Sequence, residues 1–228
     1  MTEIWDGLTK AIELLISLDS EVMEVVGRSL GISGTACLLA SLICLPLGSL
    51  IHFHHFRGKR ALINIIQTLF RVPTVLIGLF VFVLFSRAGP LGDLGIIFTP
   101  TAMVIGQMIL VIPLLLGLTI SSLSGVGKEI VDTATSLGAS GFQTVLLVLR
   151  EARYAVLVAV IMGFGRAISE VGCALMVGGN FKDVTRVLTT AIYLETGQGE
   201  LELAMALGII LLFLALIINI ILNRLQQG

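Results

Sequence analysis

The chain has 228 residues, 56% of them apolar and 13% charged, with a mean hydropathy of +1.05. Soluble domains carry about 25% charged residues, so this composition excludes a water-soluble globule and marks an integral membrane protein. The formal net charge is −1 and no basic run exceeds Arg57-Gly58-Lys59-Arg60, which leaves nucleic-acid binding without an electrostatic footing.

Residues 1–20 form the first unit. Ile4, Leu8, Ile12 and Leu15 recur at three- and four-residue spacing, with Asp6, Lys10 and Glu13 between them. The segment is too short and too charged to span. The expectation is an amphipathic helix at the extracytoplasmic interface, a position that suits Trp5. Its apolar stretch, Ala11 to Leu18, is flanked by charge and does not fit a cleavable signal peptide.

Residues 21–228 read as one membrane domain. Five apolar stretches each approach the roughly 20 residues needed to cross a bilayer: Val25–Ile51, Leu62–Phe85, Thr101–Leu123, Tyr154–Val177 and Leu203–Leu222. In the first, Gly27, Gly31 and Gly34 share a face, the spacing of close helix contact within the subunit or across a dimer. Cys37 and Cys44 lie two turns apart, about 10 Å of rise, too far for a disulfide. With Cys173 they read as small apolar packing residues. His52, His54 and His55 sit in a short basic loop and read as loop chemistry rather than a metal site. Arg71 with Pro73 opens the second span, where the arginine is expected to snorkel to the interface. Pro100 is expected to start the third span and Pro113 to kink it.

Arg57, Lys59, Arg60, Lys128, Arg150, Arg153 and Arg224 all fall on one side of an odd number of spans. Lys10, Arg87, Lys182 and Arg186 fall on the other, diluted by most of the acidic residues. The positive-inside bias puts the N-terminus outside and the C-terminus in the cytoplasm.

The segment 128–153 is therefore expected to be cytoplasmic. Ile130, Ala134 and Leu137 make one narrow apolar stripe, and Gly138 is the residue type that ends a helix. Ser140 with Gln143 forms a capping box for a second helix. A helix, a turn and a helix projecting from a membrane body make a docking device.

The fourth span carries Arg166 and Glu170, four residues apart and so stacked on one helix face. Isolated, an arginine costs about 2.5–3.5 kcal/mol at the bilayer centre by insertion scales, so the two must pair and face protein or water. Ser169 and Gly172 lie close to that face and permit tight helix contact. Two readings stand side by side: Arg166 and its surroundings line a polar route through the bundle, or the pair ties two helices together.

No energy source is visible. Gly125-Val126-Gly127-Lys128-Glu129 lacks the first glycine and the final Ser or Thr of a phosphate-binding loop, whose positions hold Ser122 and Glu129. No HExxH occurs either.

Asp132-Thr133-Ala134 followed by Gly138 resembles the "EAA" motif of ABC-importer membrane subunits. Asp132 stands for Glu and Thr133 for the first Ala; Arg150 and Glu151 replace the usual Leu-Pro at its end. Gly163-Phe-Gly-Arg166-Ala-Ile-Ser169-Glu170-Val-Gly172, then Met176-Val-Gly-Gly179-Asn180, is similar to the fourth-span signature of molybdate and tungstate permeases. Thr185-Arg186-Val-Leu-Thr-Thr-Ala-Ile192 looks closest to the tungstate branch.

The resemblance implies an all-α membrane protein of about five spans with the type I ABC importer permease fold, in a prokaryotic plasma membrane. Asp132, Thr133, Ala134, Leu137, Gly138 and Ala139 would couple to a separate cytoplasmic ATPase. Arg166, Ser169, Glu170 and Gly172 would border the path. An extracytoplasmic binding protein and a second copy of the chain would complete the assembly. No cofactor or metal of its own is implied, since ATP is held by the partner. The cargo is an oxyanion, with tungstate first, then molybdate, sulfate or another small solute. A non-transporting helical scaffold is the reading from a different class.

Overall fold

The computed structural model describes residues 2–17 and 19–227, without the side chains of 2–4, 222, 223 and 225–227. Leu18 and the side chains of Ile4 and Leu222 therefore lie outside it. Every regular element among the described residues is helical. Three helices are long and apolar enough to cross alone: α2 (Ser20–Phe53), α5 (Pro100–Ser124) and α11 (Leu201–Gln227). Two bent pairs supply the rest. The helices α3 (Lys59–Leu69) and α4 (Thr74–Phe85) meet at 96°, and α8 (Arg153–Ile168) and α9 (Gly172–Gly178) at 59°. Counted one span per pair, the total is the expected five. The remaining α-helices are α1 (Thr2–Ile16), α6 (Lys128–Ser136), α7 (Gly141–Glu151) and α10 (Leu188–Gln198), and a 3-10 turn spans Gly92–Leu94.

The breaks fall inside the second and fourth apolar stretches, which hydropathy reads as continuous. Pro73 has no N–H and drives Val72 out of the helical region, so the chain turns through Phe70–Pro73 before α4 begins. At the second break no proline is involved; Ser169 to Val171 leave the helix, and the Glu170 side chain accepts a backbone N–H from the first turn of the next one. Pro113, by contrast, is buried within a single unbroken helix α5, which Pro100 opens at its first turn.

The helices α2 and α5 run side by side, and α8 packs against both through Ala40, Cys44, Val111, Leu115 and Ala159. A second core joins α4, α5 and α9 around Val81, Phe85, Met103, Cys173 and Val177. A third holds α1 on α11, through Ala11, Leu14, Ala206 and Ile210. The face of α1 turned to protein is thus Gly7, Ala11 and Leu14, and a Cβ on Gly7 would fall 2.5 Å from that of Met205. Trp5, Ile12 and Ile16 point away from protein. Among the described residues, no atom from beyond their own stretch of helix lies within 4 Å of where a Cβ on Gly27, Gly31 or Gly34 would stand, so these positions are open within the subunit.

Candidate functional site

Two groups of residues stand out, at opposite ends of α8. At about 1.5 Å per residue, that helix separates them by roughly 24 Å.

The first is the hairpin of α6 and α7. Gly138 takes φ +83°, the left-handed conformation that only glycine adopts cheaply. Ala139 N–H donates to Ala134 O and Gly138 N–H to Thr135 O, both at 3.0 Å, the paired bonds of a Schellman stop. Ser140 then opens α7 with the expected reciprocal cap: its N–H donates to Gln143 Oε1 at 2.7 Å, and its hydroxyl accepts from Gln143 N–H at 3.3 Å. Ala134, Thr144 and Val148 are buried, and Val148 and Ala152 join Leu123 in a small core that seats the hairpin under α5. Arg150 and Glu151 are exposed, so the departure from Leu-Pro falls off the buried face.

One expectation changes here. Leu137 does not share the buried stripe of Ala134; the turn at Gly138 leaves it 83% exposed at the tip. Phe142, 77% exposed, and Leu146 join it. These two were not singled out from the sequence, although two large apolar residues four apart in a polar segment were a readable signal. Asp132 and Thr133 are exposed on the same hairpin.

The second group surrounds the α8–α9 break. Arg166 Nη1 lies 3.5 Å from Glu170 Oε2, so the ion pair forms. It is not a pair on one continuous helix face. Glu170 is past the end of α8 and only 2% exposed; its Oε1 accepts the Cys173 N–H at 2.8 Å and so caps α9. Its backbone carbonyl accepts the Thr189 hydroxyl at 2.7 Å. Arg166 is 37% exposed. The carboxylate is sequestered and the guanidinium is open. Ser169 is exposed at the break. Gly172 is a point of close approach, because a Cβ there would meet Val75 Cγ2 at 2.8 Å and Thr74 Oγ1 at 2.9 Å. The first turn of α4 thus abuts the first turn of α9, and the two broken spans touch at their breaks. Arg71 is exposed in the α3–α4 turn.

Threonines that the sequence offered only within the resemblance brace this region. Thr185 Oγ1 donates to Gly178 O at 2.6 Å and accepts from Phe181 N–H at 2.9 Å. Leu188 N–H donates to Ser29 Oγ at 2.8 Å, and Arg28 Nη1 to Arg186 O at 3.0 Å, tying the α9–α10 connection to α2. Outside the spans, Lys182 bonds Glu21 at 2.8 Å, which raises the ammonium's pKa above its usual value.

The family model for binding-protein-dependent transport system inner membrane components matches residues 44–228. The chain belongs to that family. The permease subunit is 40% identical to the tungstate uptake system permease protein TupB of Peptoclostridium acidaminophilum, over the whole length of both. It is 37% identical to the protein of the same name from Campylobacter jejuni, covering 98% of this chain and 94% of that one. A sulfate transport system permease, CysW of Synechococcus elongatus, is 30% identical over 66% of this chain and 58% of its own length. Among solved structures, an inward-facing MetNI methionine ABC transporter chain matches with a TM-score of 0.77 at 16% identity, over 92% of this chain and 97% of that one. A bacterial alginate ABC transporter chain, solved in complex with a pentasaccharide-bound periplasmic protein, matches at 0.75 and 18% identity, over 96% and 85%. The permease subunit therefore has the type I ABC importer fold and is a multi-pass membrane protein.

Proposed function

We propose that this subunit carries tungstate across a prokaryotic plasma membrane by alternating access, driven by a separate ATPase. The observation that supports the cargo most is identity over the whole chain: the tungstate uptake permeases are 40% and 37% identical over 100% and 98% of it, whereas sulfate permeases reach 30% over 66% or 26% over 92%. Neither Gly58-Lys59 nor Gly127-Lys128 is followed by the Ser or Thr of a phosphate-binding loop, which supports ATP hydrolysis by a partner.

The 128–153 hairpin is the coupling element, with Leu137, Phe142 and Leu146 as its apolar anchor and Asp132, Thr133, Ala134, Gly138 and Ala139 as its scaffold and rim. It faces the cytoplasm, with the N-terminus outside, as the basic loops favour. Two copies form the pore, each carrying one ATPase, and the outward glycine face of α2 suits close contact with the second copy. An extracytoplasmic binding protein delivers the anion. The short α1 lies at the outer interface, its exposed Trp5 and Ile12 facing lipid headgroups.

Along the path, Arg166 is the cation offered to the dianion. Glu170 does not repel it, because its charge is held by Arg166 and by the Cys173 N–H. Uptake into proteoliposomes holding the subunit, its ATPase and binding protein tests the reading. Tungstate uptake that needs ATP on the ATPase side is expected; uptake without the ATPase, or none with any oxyanion, contradicts it.

A further inference from the structure

His52, His55, Lys59 and Lys128 gather around a cleft of about 490 Å³, where α2 and α5 end and α3 and α6 begin. A second cleft of about 530 Å³ shares His55, Lys59 and Ile63 with it and adds Arg60. Asp132 is the one carboxylate among the described residues lining either. Lys59 Nζ donates to His52 O at 2.6 Å and to His54 O at 3.3 Å, which fixes the ammonium between the end of α2 and the cleft. Neither Gly58 at the start of α3 nor Gly127 at the start of α6 supplies a side-chain cap, so first-turn N–H groups add donors at this edge. The walls are apolar, built by Phe53, Ile63 and Ile120. The helix α3, bent 96° from α4, leaves Ile65 and Leu69 exposed.

Of these cations only Lys128 lies on the coupling hairpin, at its first residue, and none lies on the pathway described above. A soluble oxyanion has no use for the apolar walls. A phospholipid uses both halves, its phosphate against the cations and its glycerol and upper acyl chain along Phe53 and Ile63, at the level where a span leaves the membrane. We propose that this cleft seats the phosphate of an anionic phospholipid beside the root of α6. The lipid would brace the hairpin against α2 and α3, so that anionic lipid belongs to the assembled subunit.

The test uses the full chain in nanodiscs of phosphatidylcholine with and without phosphatidylglycerol, with retained lipid read by native mass spectrometry. Arg60 and Lys128 are exposed and can be changed without touching the Lys59 cap. Each basic side chain near an anionic surface is worth roughly a five-fold gain, so Arg60→Gln with Lys128→Gln is expected to cut phosphatidylglycerol retention about 25-fold. The charge-keeping pair Arg60→Lys and Lys128→Arg is expected to retain it, which separates lost charge from lost fold. Equal retention of both lipids by the unmodified chain, or unchanged retention in the Gln variant, overturns the proposal. So does displacement of the lipid by inorganic phosphate or tungstate at matched concentration, since that identifies a free-oxyanion site.

Discussion

At the residue scale the account turns on Arg166 and Glu170, which share one ion pair and do different work. Glu170 is built into the fold by the Cys173 N–H and the Thr189 hydroxyl, while Arg166 is open. Glu170→Gln keeps the acceptor for Cys173 and removes the charge, and is expected to hold uptake within about three-fold, under 1 kcal/mol. Arg166→Ala leaves a buried carboxylate without its counter-charge, and uptake is expected to fall at least about ten-fold, or about 1.4 kcal/mol. The double variant separates the roles. A purely structural pair is rescued once both charges are gone, whereas a pathway cation is not, so recovered uptake would remove Arg166 from the path. Gly138 makes a second residue-scale case. With φ at +83°, Gly138→Val is expected to destabilise the hairpin turn by about 1–2 kcal/mol. Limited proteolysis at 137–140 should detect it as faster cleavage, and cleavage at the unmodified rate would mean the turn tolerates a side chain.

At the scale of elements, the hairpin separates seating from docking. Val148 is 1% exposed in the small core under α5, and Val148→Ala is expected to lower the thermal midpoint through a cavity cost of about 1–2 kcal/mol. Leu137 and Phe142 touch little of their own chain, so Leu137→Asp with Phe142→Asp is expected to leave that midpoint within a change of about 0.5 kcal/mol per site. Co-purification with the ATPase is expected to be lost in the same variant. Retained co-purification would mean that the ATPase docks elsewhere.

The hairpin was the most legible element in the sequence, because its two stops are local: a glycine after an apolar stripe, and a Ser-Gln capping pair. The broken spans were not legible as breaks. Hydropathy is a sum over a window and carries no angle, so Leu62–Phe85 and Tyr154–Val177 each read as one helix. Pro73 was in view as the opening of a span, but nothing local said that the chain would turn there by 96°. The Glu170 cap depends on a backbone N–H three residues on, and helical spacing alone suggested a stacked pair instead. The packing of α1 on α11 was not legible for a related reason. Large apolar side chains mark amphipathicity, yet the close contact with α11 is made by Gly7 and Ala11, whose smallness is visible only against a neighbour.

At the scale of the molecule, the proposed function makes three long helices, two broken spans and a projecting hairpin into a subunit that converts a partner's motion into a change of access. The two sites sit at opposite ends of α8, which packs along both α2 and α5, so a displacement at the hairpin reaches the break through one packed helix. Anion choice is then a property of the whole complex, the binding protein included. The most direct test is ATPase activity of the complete reconstituted complex with its binding protein, titrated separately with tungstate, molybdate and sulfate. The expected result is stimulation by tungstate at concentrations where sulfate has no effect. Equal stimulation by all three anions, or activity that ignores them, would contradict a tungstate importer.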